Sequence, residues 1–360
     1  MTELSIGERD DATGPATLTA TRMNRHTFWC GQSGSGKTYA LGVVLEELLL
    51  RTSLPLVIID PNADFVRLGE VREGVDADVA AALSSRDIRV LRPAHVGGDA
   101  LRARFSTMLP QSKAAIMRLD PIADREEFNA FLHLGDTNEP LDARTLMTRL
   151  REANDPGMLA IAQRIENLEL LQWQIWAGEN PAASEIIAER PDATVLDIGG
   201  FAHPEESLSV VLSVLDDLWT RREERRPVLL VIDEAHNVCS PELRGTLATA
   251  VRERIIQIAA EGRKYGLWLL LSTQRPSKVH PGVISQCDNL GLMKMSSPAD
   301  LAELGSVFGF IPSELMARAA TFTQGQALLA GGFAPTDGVV RMRERYTHEG
   351  GADVRVPVRD

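Results

Sequence analysis

Eight consecutive residues, Gly31-Gln-Ser-Gly-Ser-Gly-Lys-Thr38, match the spacing G-x-x-x-x-G-K-[ST]. Glycines at these positions let the backbone wrap phosphates, so that successive N–H groups and the positive end of the following helix face the negative charge. A lysine at position 37 would reach the β- and γ-phosphates, and the Thr38 hydroxyl would ligate Mg²⁺. The nucleotide-contacting set is therefore Gly31, Ser33, Gly34, Ser35, Gly36, Lys37, Thr38 and Tyr39, with ATP as the expected ligand.

Chemistry also needs a metal-holding carboxylate and a base. Val228-Leu-Leu-Val-Ile runs into Asp233 and Glu234, and such a pair divides the work. Asp233 would hold Mg²⁺, and Glu234 would orient and deprotonate the attacking water. Another apolar run, Leu267–Thr273, ends at Gln274, a neutral amide suited to sensing the γ-phosphate or holding that water. Asp60-Pro-Asn-Ala-Asp64 follows a third such run, which sets Asn62 and Asp64 either near the reacting water or in a plain Asp-Pro turn.

Arg263, in Glu261-Gly-Arg-Lys-Tyr-Gly266, precedes the strand that ends at Gln274, so it belongs at the sheet edge away from its own nucleotide. It could stabilise a transition state only in a neighbouring subunit; Lys264 shares this position, and Arg254 is an alternative. His236 reads as a bridge from the nucleotide site to a DNA-facing loop or as a local structural donor.

These groups need a scaffold. Thr27–Cys30, Leu54–Asp60, Asp87–Leu91, Ala193–Ile198, Pro227–Ile232 and Leu267–Thr273 are short apolar runs separated by helical stretches, the pattern of a parallel sheet covered on both faces. The fold class is α/β, a P-loop core with a mainly parallel sheet. Between them, Arg125–Leu134, Asp142–Ala153 and Leu159–Trp176 read as successive helices. The division is an N-terminal arm or edge strand (1–24), a first core segment (25–110), a helical insertion (111–189), a second core segment (190–345) and a loose tail (346–360). Trp173 and Trp176 are expected as packing anchors.

The net charge of −12 argues against bulk attraction to nucleic acid, while leaving room for a basic channel inside an acidic ring. The three cysteines, Cys30, Cys239 and Cys287, lack metal-ligand spacing and are expected as reduced, buried thiols. Neither a signal pattern nor an 18-residue apolar stretch occurs, which points to a cytoplasmic protein without a membrane segment.

Taken together, GQSGSGKT (31–38), IDPNAD (59–64), VIDEAHN (231–237), EGRKYG (261–266) and above all STQRPSKVHPGVISQC (272–287), with Leu292–Ser297 and Gly325–Leu329, resemble the HerA/FtsK group of P-loop motor ATPases, the HerA branch most closely. The resemblance implies a RecA-like core with a helical insertion and a homo-oligomer, a hexameric ring, with Arg263 acting in trans. It also implies ATP-driven translocation or unwinding of double-stranded DNA as a helicase, with a pore loop near Ser277–Gly282 and Lys278 as a contact to the phosphate backbone. HerA-like proteins usually carry an N-terminal barrel that docks a nuclease; only about 30 residues precede the P-loop here. Family members also stand beside nucleases or NAD-consuming effectors in antiviral defense, which makes such an effector a further expected partner. The alternative is a nucleotide-dependent scaffold that activates an effector without processive movement.

Overall fold

Val228–Ile232 is buried at every position, as are His26–Cys30 and Leu56–Asp60. Strands apolar on both faces pack only between two layers of helices, and alternate residues divide accordingly. Leu229 and Val231 join one core with the helix Lys37–Arg51 (α1), while Leu230 and Ile232 join the other with the helices Pro204–Thr220 and Thr246–Glu261. In this computed structural model, residues 2–11, 14–134 and 143–351 are described.

The strands are β1 (Glu3–Arg9), β2 (Pro15–Thr19), β3 (His26–Cys30), β4 (Leu56–Asp60), β5 (Ile88–Arg92), β6 (Asp99–Ala100), β7 (Ala193–Asp197), β8 (Val228–Ile232), β9 (Leu267–Thr273), β10 (Cys287–Met293), β11 (Gln326–Gly331) and β12 (Gly338–Met342). They form one sheet in the order β2-β1-β12-β11-β10-β3-β9-β8-β4-β7-β5-β6. From β10 to β6 neighbouring strands are parallel, and β11, β12, β1 and β2 extend the sheet antiparallel. The expected α/β class with a mainly parallel sheet is thus the observed one, and the N-terminal segment supplies its edge hairpin.

The helical segment between β6 and β7 packs on the sheet face opposite α1. The helix expected over Leu159–Trp176 runs instead over Pro156–Asn167, because Asp155 caps its start and Glu169 turns the chain through a left-handed conformation (φ 53°). Trp173 and Trp176 stack with centroids 5.8 Å apart, as packing anchors. Asp142, expected within a helix, lies outside the described residues; the helix observed there is Ala143–Glu152. The three cysteines are free and buried. Among the described residues no helix is long and apolar enough to cross a membrane.

The expected loose tail is ordered up to Gly351. Arg345, Thr347 and Gly350 are buried, because the chain beyond β12 turns back over α1. Residues 352–360 of that tail lie outside the described residues.

His26 on β3 is fully buried, and its Nδ1 accepts the Leu269 N–H at 2.9 Å, so the ring is neutral. Burial lowers its pKa from 6.5 to about 4. The unfolded chain therefore binds this proton more readily, and the contribution is complete above the unfolded value and fades as pH falls from 6.5 to about 4. The full shift corresponds to about 3 kcal/mol. Urea midpoints measured from about pH 7 down to about pH 5 are expected to fall, and less so in His26→Asn, whose amide oxygen can take the Leu269 N–H. Equal falls in both proteins would acquit the histidine.

Candidate nucleotide site

Parallel register brings the chemical groups together. Cys30 on β3 pairs with Thr273 on β9, Leu271 on β9 with Ile232 on β8, and Ile232 with Ile59 on β4. The segments that follow these strand ends, Gly31–Thr38, Gln274, Asp233–Glu234 and Pro61–Asp64, consequently emerge side by side at the C-terminal edge, where open α/β sheets bind ligands. Because β9 lies between β3 and β8, Gln274 sits between the glycine-rich loop and the acidic pair.

Gly34 and Gly36 have φ of +74° and +85°, conformations that a side chain would strain. Gly36 caps α1 without a side-chain hydrogen bond, which leaves the first-turn N–H groups of the helix uncapped by a side chain. The loop is pinned at both ends: the Gln32 N–H donates to the Lys294 carbonyl at 2.8 Å and the Gly325 N–H to that of Ser35 at 3.2 Å. Ser33 and Gly34 form its exposed tip; Ser35 is buried, and its hydroxyl has no protein partner. Thr38 follows Lys37 in the first turn of α1 and is half-buried.

Lys37 is buried, and its Nζ donates to Asp233 Oδ1 at 2.7 Å and Ser272 Oγ at 2.9 Å, with Glu234 Oε1 at 3.2 Å. Burial alone would lower its pKa, but the Asp233 and Glu234 carboxylates raise it, so the ammonium stays charged. Glu234 is in the left-handed region (φ 45°), a strained placement for a non-glycine residue that turns the acidic side chain back over the loop. The Gln274 side-chain amide donates to Glu234 Oε1 at 2.9 Å, and the Gln274 N–H lies 3.3 Å from Oε2. His236 Nδ1 lies 3.2 Å from Glu234 Oε2 and 3.0 Å from Thr273 Oγ1. Burial pushes the Glu234 pKa up, yet the His236 hydrogen bond and the Lys37 charge outweigh it and hold the group at about 2.

Asp60 ends β4 fully buried, its oxygens accepting the N–H groups of Asn62, Asp64 and Phe65. It thereby shapes the loop that presents Asp64. Burial raises Asp60 to about 7 and Asp64 to about 6, with the nearby Asp233 charge adding to both. Oxygens of Asp60, Asp64 and Asp233 lie within 4.8 Å of one another, and the second Asp233 oxygen is buried without a partner. The Lys37 ammonium contacts Asp233 and Glu234, and two further carboxyl groups, Asp60 and Asp64, stand beside Asp233. That all-oxygen set, with the hydroxyl of Thr38 nearby in sequence, has the chemistry of a site for a hard divalent cation.

Some expected residues stand elsewhere. The Tyr39 hydroxyl accepts the Arg345 N–H at 2.7 Å and lies 3.4 Å from Arg72 Nη1. Two helical positions beyond Lys37, it is turned roughly 200° from that lysine and meets the C-terminal segment instead of the phosphate loop. Arg254 is held inside the fold, 2.8 Å from Asp216 and with a side chain 12% exposed, so the alternative finger is already engaged. Arg263 sits before the start of β9, roughly 20 Å from that strand's C-terminal end by strand rise, and pairs with Asp288 at 2.9 Å. Lys278 pairs with Glu242 on the surface. Ser272 was not singled out from the sequence. The signal lies in the period of β9: Ser272 shares the face of Leu270, which packs on the α1 side.

The family description "Helicase HerA, central domain" matches residues 4–217, more than half of the chain. A probable helicase of Methanocaldococcus jannaschii is 26% identical over 364 aligned positions, 92% of this chain and 68% of that protein. The DNA double-strand break repair helicase HerA of Pyrococcus furiosus is 28% identical over 373, covering 89% and 65%. With a second probable helicase of M. jannaschii, 27% identical over 162 residues, the match spans 42% of this chain and 31% of the relative. The chain thus spans from about a third to two thirds of these relatives. Among solved structures, VirB4 of Thermoanaerobacter pseudethanolicus superposes with a TM-score of 0.59 at 15% identity, covering 95% of this chain and 96% of that one. The bacterial conjugative coupling protein TrwB gives 0.58 at 14%, covering 97% and 90%. These two likenesses bear on the fold, a RecA-like P-loop core.

Proposed function

Since the chain belongs to the family of the HerA helicase central domain, we propose that it is an ATPase that works as a hexameric ring and couples hydrolysis to translocation along, or unwinding of, double-stranded DNA. The observation that carries this reading is the convergence of Lys37, Ser272, Asp233, Glu234 and Gln274 at one sheet edge beside an uncapped helix start. On this reading, phosphates bind to the loop N–H groups and take Lys37 away from the carboxylates. Glu234 then loses a cationic partner, its proton affinity rises from the value set by Lys37, and it becomes a better base for water. Gln274 and His236 keep it oriented. Thr38 and Asp233 would hold Mg²⁺, whose role is to neutralise charge on the phosphates.

The acidic balance, net −12, and the pairing of Lys278 with Glu242 favour a second reading, a ring that assembles and activates an effector such as a nuclease or an NAD-consuming enzyme. Steady-state ATP turnover with and without long double-stranded DNA, alongside light scattering, separates the two. A ring whose turnover rises several-fold with DNA is the expected result. A ring indifferent to DNA selects the scaffold, and a monomer without turnover sinks both.

A further inference from the structure

The segment after β12 makes contacts that the nucleotide chemistry does not use. Glu46 on α1 is completely buried, and its carboxylate accepts the N–H of Tyr346 at 3.1 Å and of Thr347 at 2.9 Å, the Thr347 hydroxyl at 2.7 Å and Arg343 Nη1 at 2.9 Å. Its neighbour Glu47 takes the other Arg343 nitrogen at 3.0 Å. Arg345, also fully buried, lies so close to Gly42 of α1 that a β-carbon there would stand 2.5 Å from the guanidinium. The same segment then pairs with the chain that follows β4. The Arg72 N–H donates to Tyr346, the His348 N–H to Glu70 and the Gly350 N–H to Asp64, the last at 3.0 Å. Arg345 faces the Phe65 ring at 5.9 Å, and the Phe65 N–H is one of the three that hold Asp60.

Helix α1 and the Asp60–Asp64 loop are therefore tied to one strip of chain. Its closest approach is at Gly350, where a β-carbon would come within 1.7 Å of the Ala63 carbonyl oxygen. Ala63 itself is held left-handed at φ 59°, immediately before Asp64. The strip thus joins buried charges on α1 to a backbone bond on Asp64 itself.

We infer that residues 343–351 are a positioning strap that holds α1 and the Asp60–Asp64 loop in a fixed relation, with Gly350 setting how Asp64 is presented to the site. The catalytic meaning of the strap rests on the ATPase reading; its mechanical coupling to the loop does not. In the full chain, Gly350→Ala forces the strap off Ala63, and Thr347→Val removes a hydroxyl that Glu46 and Arg345 both use.

Three quantities decide the matter: kcat, KM, and amide hydrogen exchange at Asp64 and Phe65. Gly350→Ala is expected to lower kcat about 10-fold or more, since small displacements of reacting groups are costly. KM should stay within about 2-fold, because the phosphate loop is untouched. Exchange at Asp64 and Phe65 should accelerate while β8 and β9 keep their protection. Unchanged exchange overturns the strap, and faster exchange with an unchanged kcat or a rise in KM alone overturns its role in presenting Asp64. Should Gly350→Ala lose protection in β8 as well, Thr347→Val is read by the same criteria. A parent protein with no ATP turnover defeats the ATPase reading, and exchange alone then decides whether the strap holds the loop.

Discussion

Replacing Glu234 with Gln is expected to lower ATP turnover by about 10²–10⁴-fold while leaving nucleotide affinity equal or tighter. The side chains have the same shape, and a Gln oxygen at this position can still accept from the Gln274 amide that meets Glu234 at 2.9 Å. What disappears is the negative charge. Lys37 keeps Asp233 at 2.7 Å and Ser272 at 2.9 Å, so it remains placed for phosphates, and the phosphates meet one carboxylate fewer. Proton abstraction from water loses the carboxylate that Gln274 and His236 orient, and Asp60 is already taken up by the N–H groups of Asn62, Asp64 and Phe65. The check is equilibrium titration with a fluorescent ATP analogue beside single-turnover hydrolysis. Retained turnover with normal binding removes Glu234 from the mechanism and moves the base to the Asp60–Asp64 loop.

The reach of the sequence can be judged from these same residues. Gly31–Thr38, Asp233, Glu234 and Gln274 were legible because each closes a buried strand, and parallel strands bring their C-terminal ends to one edge whatever their order. The order itself was not legible. That β9 separates β3 from β8, which makes Gln274 a partner of Glu234, depends on pairings between distant segments. Ser272 escaped notice for a related reason: a serine inside an apolar strand looks like packing until Lys37 is seen beside it. The part of the strap beyond Arg345 reads as a tail in the sequence since Tyr346 and Thr347 carry no strand or helix period. Their order comes from Glu46, some 300 positions earlier in the chain. Local propensity cannot report contacts of that kind.

Arg263 allows the ring itself to be tested. In its own subunit the guanidinium lies at the opposite end of β9 from Gln274, against Asp288 at 2.9 Å and with 37% of the side chain exposed. It has no route to its own phosphates, so a catalytic role requires a neighbour. Arg263→Ala is then expected to lower turnover on the order of 10³-fold or more with nucleotide binding intact. Lys37→Ala should be as inactive because phosphates are no longer held. Mixing the two inactive proteins is the informative step. At some interfaces an intact phosphate loop from the Arg263→Ala subunit meets an intact arginine from the Lys37→Ala subunit, and activity should return. A mixture as inactive as its components would assign Arg263 to the Asp288 ion pair alone. With Arg254 already bonded to Asp216, the cation completing the site would then have to be sought elsewhere on the subunit surface.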